Sequence, residues 1–132
     1  MTAKDPIFEL CDKVRETAFS LHSFLRHGHK EVIYENGMVH RLGKQGIHIE
    51  PQVALQVFDA DGTVLGDLVI DLMVEGELVV EVKAAKSIAP EHTAQLLGYL
   101  RACRKEHGLL INFGAPKLET CKYILSQELS SY

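Results

Sequence analysis

Asp71, Glu81 and Lys83 lie in the segment VIDLMVEGELVVEVKAAK, residues 69–86, where two acids and an ammonium group interrupt an apolar run. A buried strand excludes charge unless the charge is paired or used. Two carboxylates held side by side repel and raise one another's pKa, so a site built from them normally takes a divalent cation. An all-oxygen donor set favours Mg²⁺ or Mn²⁺. The bare pattern acid-x-Lys carries no information, since a chain of this composition yields about one by chance and contains one, Glu81-Val82-Lys83. Its weight comes from placement. A spacing of two puts Glu81 and Lys83 on one face of a strand.

Whether Asp71 joins them depends on the turn between the two strands. A two-residue loop, Glu75–Gly76, pairs Asp71 with Val80 and turns Glu81 to the opposite face. A three-residue loop, Glu75–Glu77, or a one-residue bulge pairs Asp71 with Glu81. A functional cluster therefore requires an odd loop or a bulge. The alternative is a set of strand-edge charges, with Lys83 and Glu81 in a solvated salt bridge worth about 0.5 kcal/mol. Asp67 has the same parity as Asp71 and competes with it as a ligand.

The elements that must position these groups follow from periodicity. Residues 5–26 predict a helix, with Asp5 as N-cap, Pro6 at the first position, and Ile7, Leu10, Val14, Ala18, Leu21 and Leu25 as its apolar stripe. Gly28 interrupts it, and HKEVIYENGMVHRLGKQG predicts a second helix stopping near Gly43 or Gly46. From Ile47 the period becomes that of strands: IHIEP, VALQVFD, a turn at DADG, TVLGDLVIDLMV, a turn at EGE, and LVVEVKA, a meander of three or four strands. Ser87–Lys105 returns to helix, with Leu96, Leu97, Leu100 and Cys103 as its stripe and Gly108 as its stop. LLINF then reads as a strand buried on both faces, parallel to a neighbour beside a crossover helix. LETCKYIL predicts a further strand, with a helix over the last dozen residues as the alternative. The sum is one domain over 1–132, a mixed sheet with helices packed on it.

Composition narrows the function classes. The 132 residues, 46% hydrophobic and 24% charged, match a folded globular domain that needs neither disulfides nor a structural metal. Three widely spaced cysteines predict reduced packing residues. No apolar span suggests a membrane, and the charged N-terminal stretch lacks a secretory h-region, so a cytoplasmic location is expected. The net charge of −4 runs against indiscriminate nucleic-acid binding. Seven histidines form neither HxxxH nor HExxH, which argues against zinc; His29 and His92 read as surface residues.

In order and spacing these pieces resemble the PD-(D/E)XK nuclease superfamily, and more closely its GxxExxY family. GHKEVIY supplies Gly28, Glu31 and Tyr34; IDLMVEGELVVEVKA resembles the acidic hairpin; AQLLGYLRA and GLLINFGAP resemble the family's segments after that hairpin. The similarity runs from about residue 7 to residue 125. It implies an α+β, restriction-endonuclease-like fold with an αβββαβ core, a mixed central sheet flanked by helices. By resemblance, Asp71 and Glu81 are metal-binding carboxylates, Glu31 the helical carboxylate that completes the site, and Val82 a ligand through its backbone carbonyl. Lys83 resembles the lysine that activates water or neutralises the scissile phosphate. Gln95 and Tyr99 resemble a Gln-x-x-x-Tyr motif that orients the site or meets phosphate, and their spacing of four independently sets them side by side on a helix. Read alone, that pair is a helix-boundary pair with solvated tips, and Glu31 an exposed helical charge. The expected activity is a Mg²⁺- or Mn²⁺-dependent nuclease acting on nucleic acid, with DNA as the expected substrate, no membrane, and a homodimer as the expected assembly. The rival expectation is a nuclease-fold binding or assembly module with a protein partner and no turnover.

Overall fold

The computed structural model describes residues 5–125. Helix α1 (Pro6–Leu25) starts where expected, because the Asp5 carboxylate accepts a hydrogen bond from the Ile7 amide at 3.0 Å. Its buried stripe is Ile7, Cys11, Val14, Ala18 and Leu21. Helix α2 (Glu31–Lys44) begins after a sharp connection in which Arg26 (φ 64°) and Gly28 (φ 117°) leave the regions open to ordinary side chains. At Gly28 that conformation explains the residue type.

Among the described residues, five strands form one sheet in chain order: β1 (Ile49–Phe58), β2 (Val64–Val74), β3 (Leu78–Lys83), β4 (His107–Asn112) and β5 (Glu119–Ile124). Neighbours are antiparallel except β3 and β4, which run parallel across the crossover helix α3 (Pro90–Cys103). This mixed sheet flanked by helices is the expected architecture. The parallel neighbours β3 and β4 are apolar without alternation over residues 78–80 and 109–111 because α1 and α2 cover one face and α3 the other. The alternative of a terminal helix falls largely outside the described residues; Glu119–Ile124 is a strand.

Of the three or four strands left open in the meander, three form, because IHIEP from Ile49 and VALQVFD to Phe58 share one strand, β1, with an irregularity at Gln52 (φ 52°) between them. The expected stop of the third helix is corrected. Helix α3 ends at Cys103 through a left-handed Arg104 (φ 56°), and Gly108 lies inside β4. A Cβ on Gly108 would come within 3.0 Å of the Leu96 and Leu100 methyls, so the glycine is set by close helix-on-strand packing rather than by helix termination.

Tyr34 ties the α1–α2 connection to the core. Fully buried and stacked on Phe113 at 4.6 Å, it donates from Oη to the Arg26 carbonyl at 2.6 Å and accepts from the His29 amide at 3.2 Å. Tyr34→Phe keeps the stacking but strands both backbone groups. It is expected to lower stability by about 1–2 kcal/mol in urea titration. A loss within error would show that water takes over both bonds.

Candidate active site

The hairpin between β2 and β3 has the three-residue loop that a functional cluster requires. Val74 pairs with Leu78, leaving Glu75, Gly76 and Glu77 as the loop, with Glu75 at φ 53° and Gly76 at φ 65°. Continued one step past Leu72↔Val80, this register sets Asp71 against Glu81. The ladder stops before that pair, and side chains take over its hydrogen bonds. The Val82 amide donates to Asp71 Oδ2 at 2.9 Å, and the Asp71 amide donates to Glu81 Oε2 at 3.4 Å. Asp71 and Glu81 thus fill the fork where β2 parts from β3.

At the same point the alternation of β2 slips by one residue. Leu72 and Val74 pack with α1 and α2, whereas Leu68 and Ile70, of the same parity, pack with α3. On β1, Val53 and Leu55 pack with α3, and Ile49 with the α1–α2 side. Gln52 and Asp71 lie at the slip on their two strands, since Pro51 pairs with Leu72 and Val53 with Ile70. A non-glycine residue at positive φ within a strand costs about 1–3 kcal/mol and persists where its surroundings impose it.

Both layers reach the fork. From α2, the Glu35 carboxylate lies beside that of Asp71 and accepts from Gln52 Nε2 at 3.2 Å on Oε1. From α3, Tyr99 is near enough to feel the charges of Glu81 and Asp71. Lys83 donates from Nζ to Gln95 Oε1 at 2.5 Å, and Gln95 donates from Nε2 to Tyr99 Oη at 3.0 Å, so three side chains form a chain along the α3 side. Behind them, buried Asn112 fixes the segment after Lys83: its Oδ1 accepts from the Ala85 amide at 2.9 Å, and its Nδ2 donates to the Ala85 carbonyl at 3.0 Å. Gly114 permits this, since a Cβ there would lie 2.4 Å from the Ala84–Ala85 backbone.

The electrostatics are those of crowded acids. Burial first, then Asp71, pushes Glu81 up to about 10, and the Lys83 charge offsets only part of this. Burial, Asp71 and Glu31 raise Glu35 to about 7. Burial and the negative charges of Glu81 and Asp71 hold the Tyr99 phenol above its ordinary range. Glu81 is 1% exposed, and its Oε1 is buried with no hydrogen-bond partner. A carboxylate oxygen in that state is suited to a proton or a cation. The donors are hard oxygens, which fits Mg²⁺ or Mn²⁺. Among the described residues no three His, Cys, Asp or Glu side chains stand ready as a cation cage, because Asp71 and Glu81 are drawn into bonds with each other's strands.

Of the residues expected at the site, Asp71, Glu81, Val82, Lys83, Gln95 and Tyr99 come together. The helical carboxylate that meets Asp71 is Glu35 rather than the expected Glu31. Glu31 is exposed in the first turn of α2, one turn before Glu35, and reaches the cluster only through its charge on Glu35. Asp67, the rival of Asp71, is exposed and pairs with Gln56 on the far side of the slip. Sequence reasoning missed Glu35, Gln52 and Asn112. The signal for Glu35 was its spacing of four from Glu31, which gives both one helical face; for Gln52 it was the broken alternation at Pro51-Gln52.

None of the curated proteins compared matches the chain. Among solved structures, the crystal structure of SSO0001 superposes with a TM-score of 0.56 at 19% sequence identity, over 76% of this chain, which spans 58% of that one. That likeness speaks to the fold. The sequence model of the PD-(D/E)XK nuclease superfamily matches residues 8–123, from the first helix through the last strand and across the whole cluster at the fork. The domain therefore belongs to the PD-(D/E)XK nuclease superfamily.

Proposed function

We propose that the chain is a metal-dependent phosphodiesterase acting on nucleic acid, with DNA as its substrate, and that it falls in the GxxExxY branch of its superfamily. The observation that carries this reading is the pairing of half-buried Asp71 with buried Glu81, with Glu81 Oε1 lacking any partner and a third carboxylate, Glu35, beside Asp71. Glu35, Asp71, Glu81 and the Val82 carbonyl would hold Mg²⁺ or Mn²⁺, with Glu31 adding negative charge one turn away. The cation, when bound, supplies Lewis-acid polarisation of the phosphate and lowers the pKa of an attacking water.

The chain's own groups do the remainder. Glu81 must release its proton before it can ligate, so the cluster trades a proton for a cation. Lys83 presents a positive charge beside Glu81 to a scissile phosphate, and Gln95 fixes that ammonium group by accepting one of its hydrogens. Tyr99 Oη, accepting from Gln95, orients the amide and keeps its own proton, which suits it to donate to a phosphate oxygen.

A second reading, an assembly module that binds a protein partner without turnover, is favoured by the net charge of −4 and by the backbone amides of Val82 and Asp71 that already engage the Asp71 and Glu81 carboxylates. Crystals soaked in Mn²⁺ separate the two. Anomalous density bounded by Asp71, Glu81 and Glu35, together with Mg²⁺-dependent cleavage that Asp71→Asn abolishes, is the expected result. No density and no cleavage at millimolar metal would leave the assembly reading.

A further inference from the structure

Gln52 is the one non-glycine residue within a described strand that has positive φ, at 52°. It stands opposite Asp71, between the pairs Pro51↔Leu72 and Val53↔Ile70, where both strands slip by one. The residue is exposed, so burial of its side chain does not account for the conformation. What the conformation achieves is visible in the bond it allows: the amide Nε2 leaves the sheet and donates to Glu35 Oε1 on α2 at 3.2 Å. The Glu35 carboxylate in turn lies beside that of Asp71. A strand residue and its cross-strand neighbour are thereby linked through a carboxylate that belongs to a different layer.

We infer that Gln52 is a positioning residue, holding the Glu35 carboxylate against Asp71 so that both present their oxygens to one cation. The inference rests on the metal-binding reading above. Glu35 carries two oxygens; the bond from Gln52 engages Oε1, and Glu31 one turn back repels the whole group. Without the amide, Glu35 is free to swing toward solvent on its three side-chain torsions and must be re-ordered on each binding event. Outer partners of ligating carboxylates typically change metal affinity by about 10–100-fold for this reason.

Glycine separates the side chain from the backbone it sits on. Gln52→Gly keeps φ near 52° without strain and removes only the amide, so the fork and the slip are retained. Mn²⁺ affinity is measured by calorimetry in the wild type, Gln52→Gly, Glu35→Ala and the double variant, with thermal midpoints recorded for each. The expected result is about a tenfold loss of affinity in Gln52→Gly at an unchanged or higher midpoint, and no further loss when the same change is made in Glu35→Ala. Wild-type affinity in Gln52→Gly overturns the inference. So does an equal loss in the Glu35→Ala background, which would mean that Gln52 acts on the cation without Glu35. Failure of the wild type itself to bind Mn²⁺ overturns the metal reading and this inference with it. If Gln52→Gly fails to fold, Gln52→Asn gives the same arms, since asparagine tolerates the left-handed region and its amide falls short of Glu35.

Discussion

Replacing Glu81 with glutamine is expected to raise the stability of the metal-free protein at pH 7 while abolishing its response to Mg²⁺. The two effects share one cause. Glu81 is 1% exposed, beside Asp71, and its folded-state pKa stands at about 10 against an ordinary 4.5. Between those values the folded chain holds a proton that the unfolded chain has released, so stability falls as pH rises from about 4.5 toward 10. At pH 7 the accumulated loss is on the order of 3 kcal/mol, a large part of the margin of a domain this size. Glutamine is neutral at every pH and its amide can donate to Asp71, so it removes the loss and flattens the pH profile. It also removes the charge that would hold a cation, and thus the stabilisation that Mg²⁺ gives by binding the folded state alone. Thermal midpoints from pH 5 to 9, with and without 10 mM Mg²⁺ (about the upper end of a binding titration), test both halves. A Glu81→Gln protein less stable than wild type at pH 7, or a wild-type midpoint that does not fall with pH in the absence of metal, would refute this account.

The hairpin was legible only as a conditional count, since the residues left a two-residue and a three-residue loop both open and the fold supplies the longer one. Two strand lengths and a turn fix parity, and with Glu75, Gly76 and Glu77 as the loop, Asp71 and Glu81 must come together. Strand β4 was legible because Leu109, Leu110 and Ile111 form an unbroken apolar run buried on both faces, whereas Asn112 at its end passed for part of that run. What lay beyond reach depended on more than one element. Glu31 and Glu35 share a helical face, and which of them meets Asp71 is settled by how far α2 slides along the sheet, a property of packing in the Tyr34, Met38 and Leu42 core. The slip at Gln52 and Asp71 broke the rule on which Asp67 was weighed against Asp71, because equal parity implies a common face only while the alternation is unbroken. Gly108 misled for a related reason: a glycine demanded by tight packing looks, along the chain, like one that ends a helix.

Lys83→Ala is expected to cut Mg²⁺-dependent cleavage by about 10²–10³-fold, the effect of removing one preorganised charge or donor from a reacting centre. Metal affinity should hold or rise slightly. The ammonium group lies close enough to Glu81 to favour its ionised form, and a cation entering the cluster meets the same positive charge as repulsion. Loss of rate without loss of metal would identify Lys83 as serving the phosphate rather than the metal. The neighbouring residues should rank in graded order. Gln95→Ala leaves the charge in place but unpins it, since Lys83 Nζ loses its acceptor, and a loss of about tenfold is expected from misorientation. Tyr99→Phe removes the end of the chain of bonds and should cost less unless the phenol itself touches substrate. Single-turnover rates on whichever nucleic acid the wild type cuts, paired with Mn²⁺ calorimetry, give the order. If Gln95→Ala proves as damaging as Lys83→Ala, the amide must contact the phosphate directly. If Lys83→Ala weakens metal binding as much as it slows cleavage, Lys83 supports the metal-binding carboxylates and its proposed role at the phosphate is wrong.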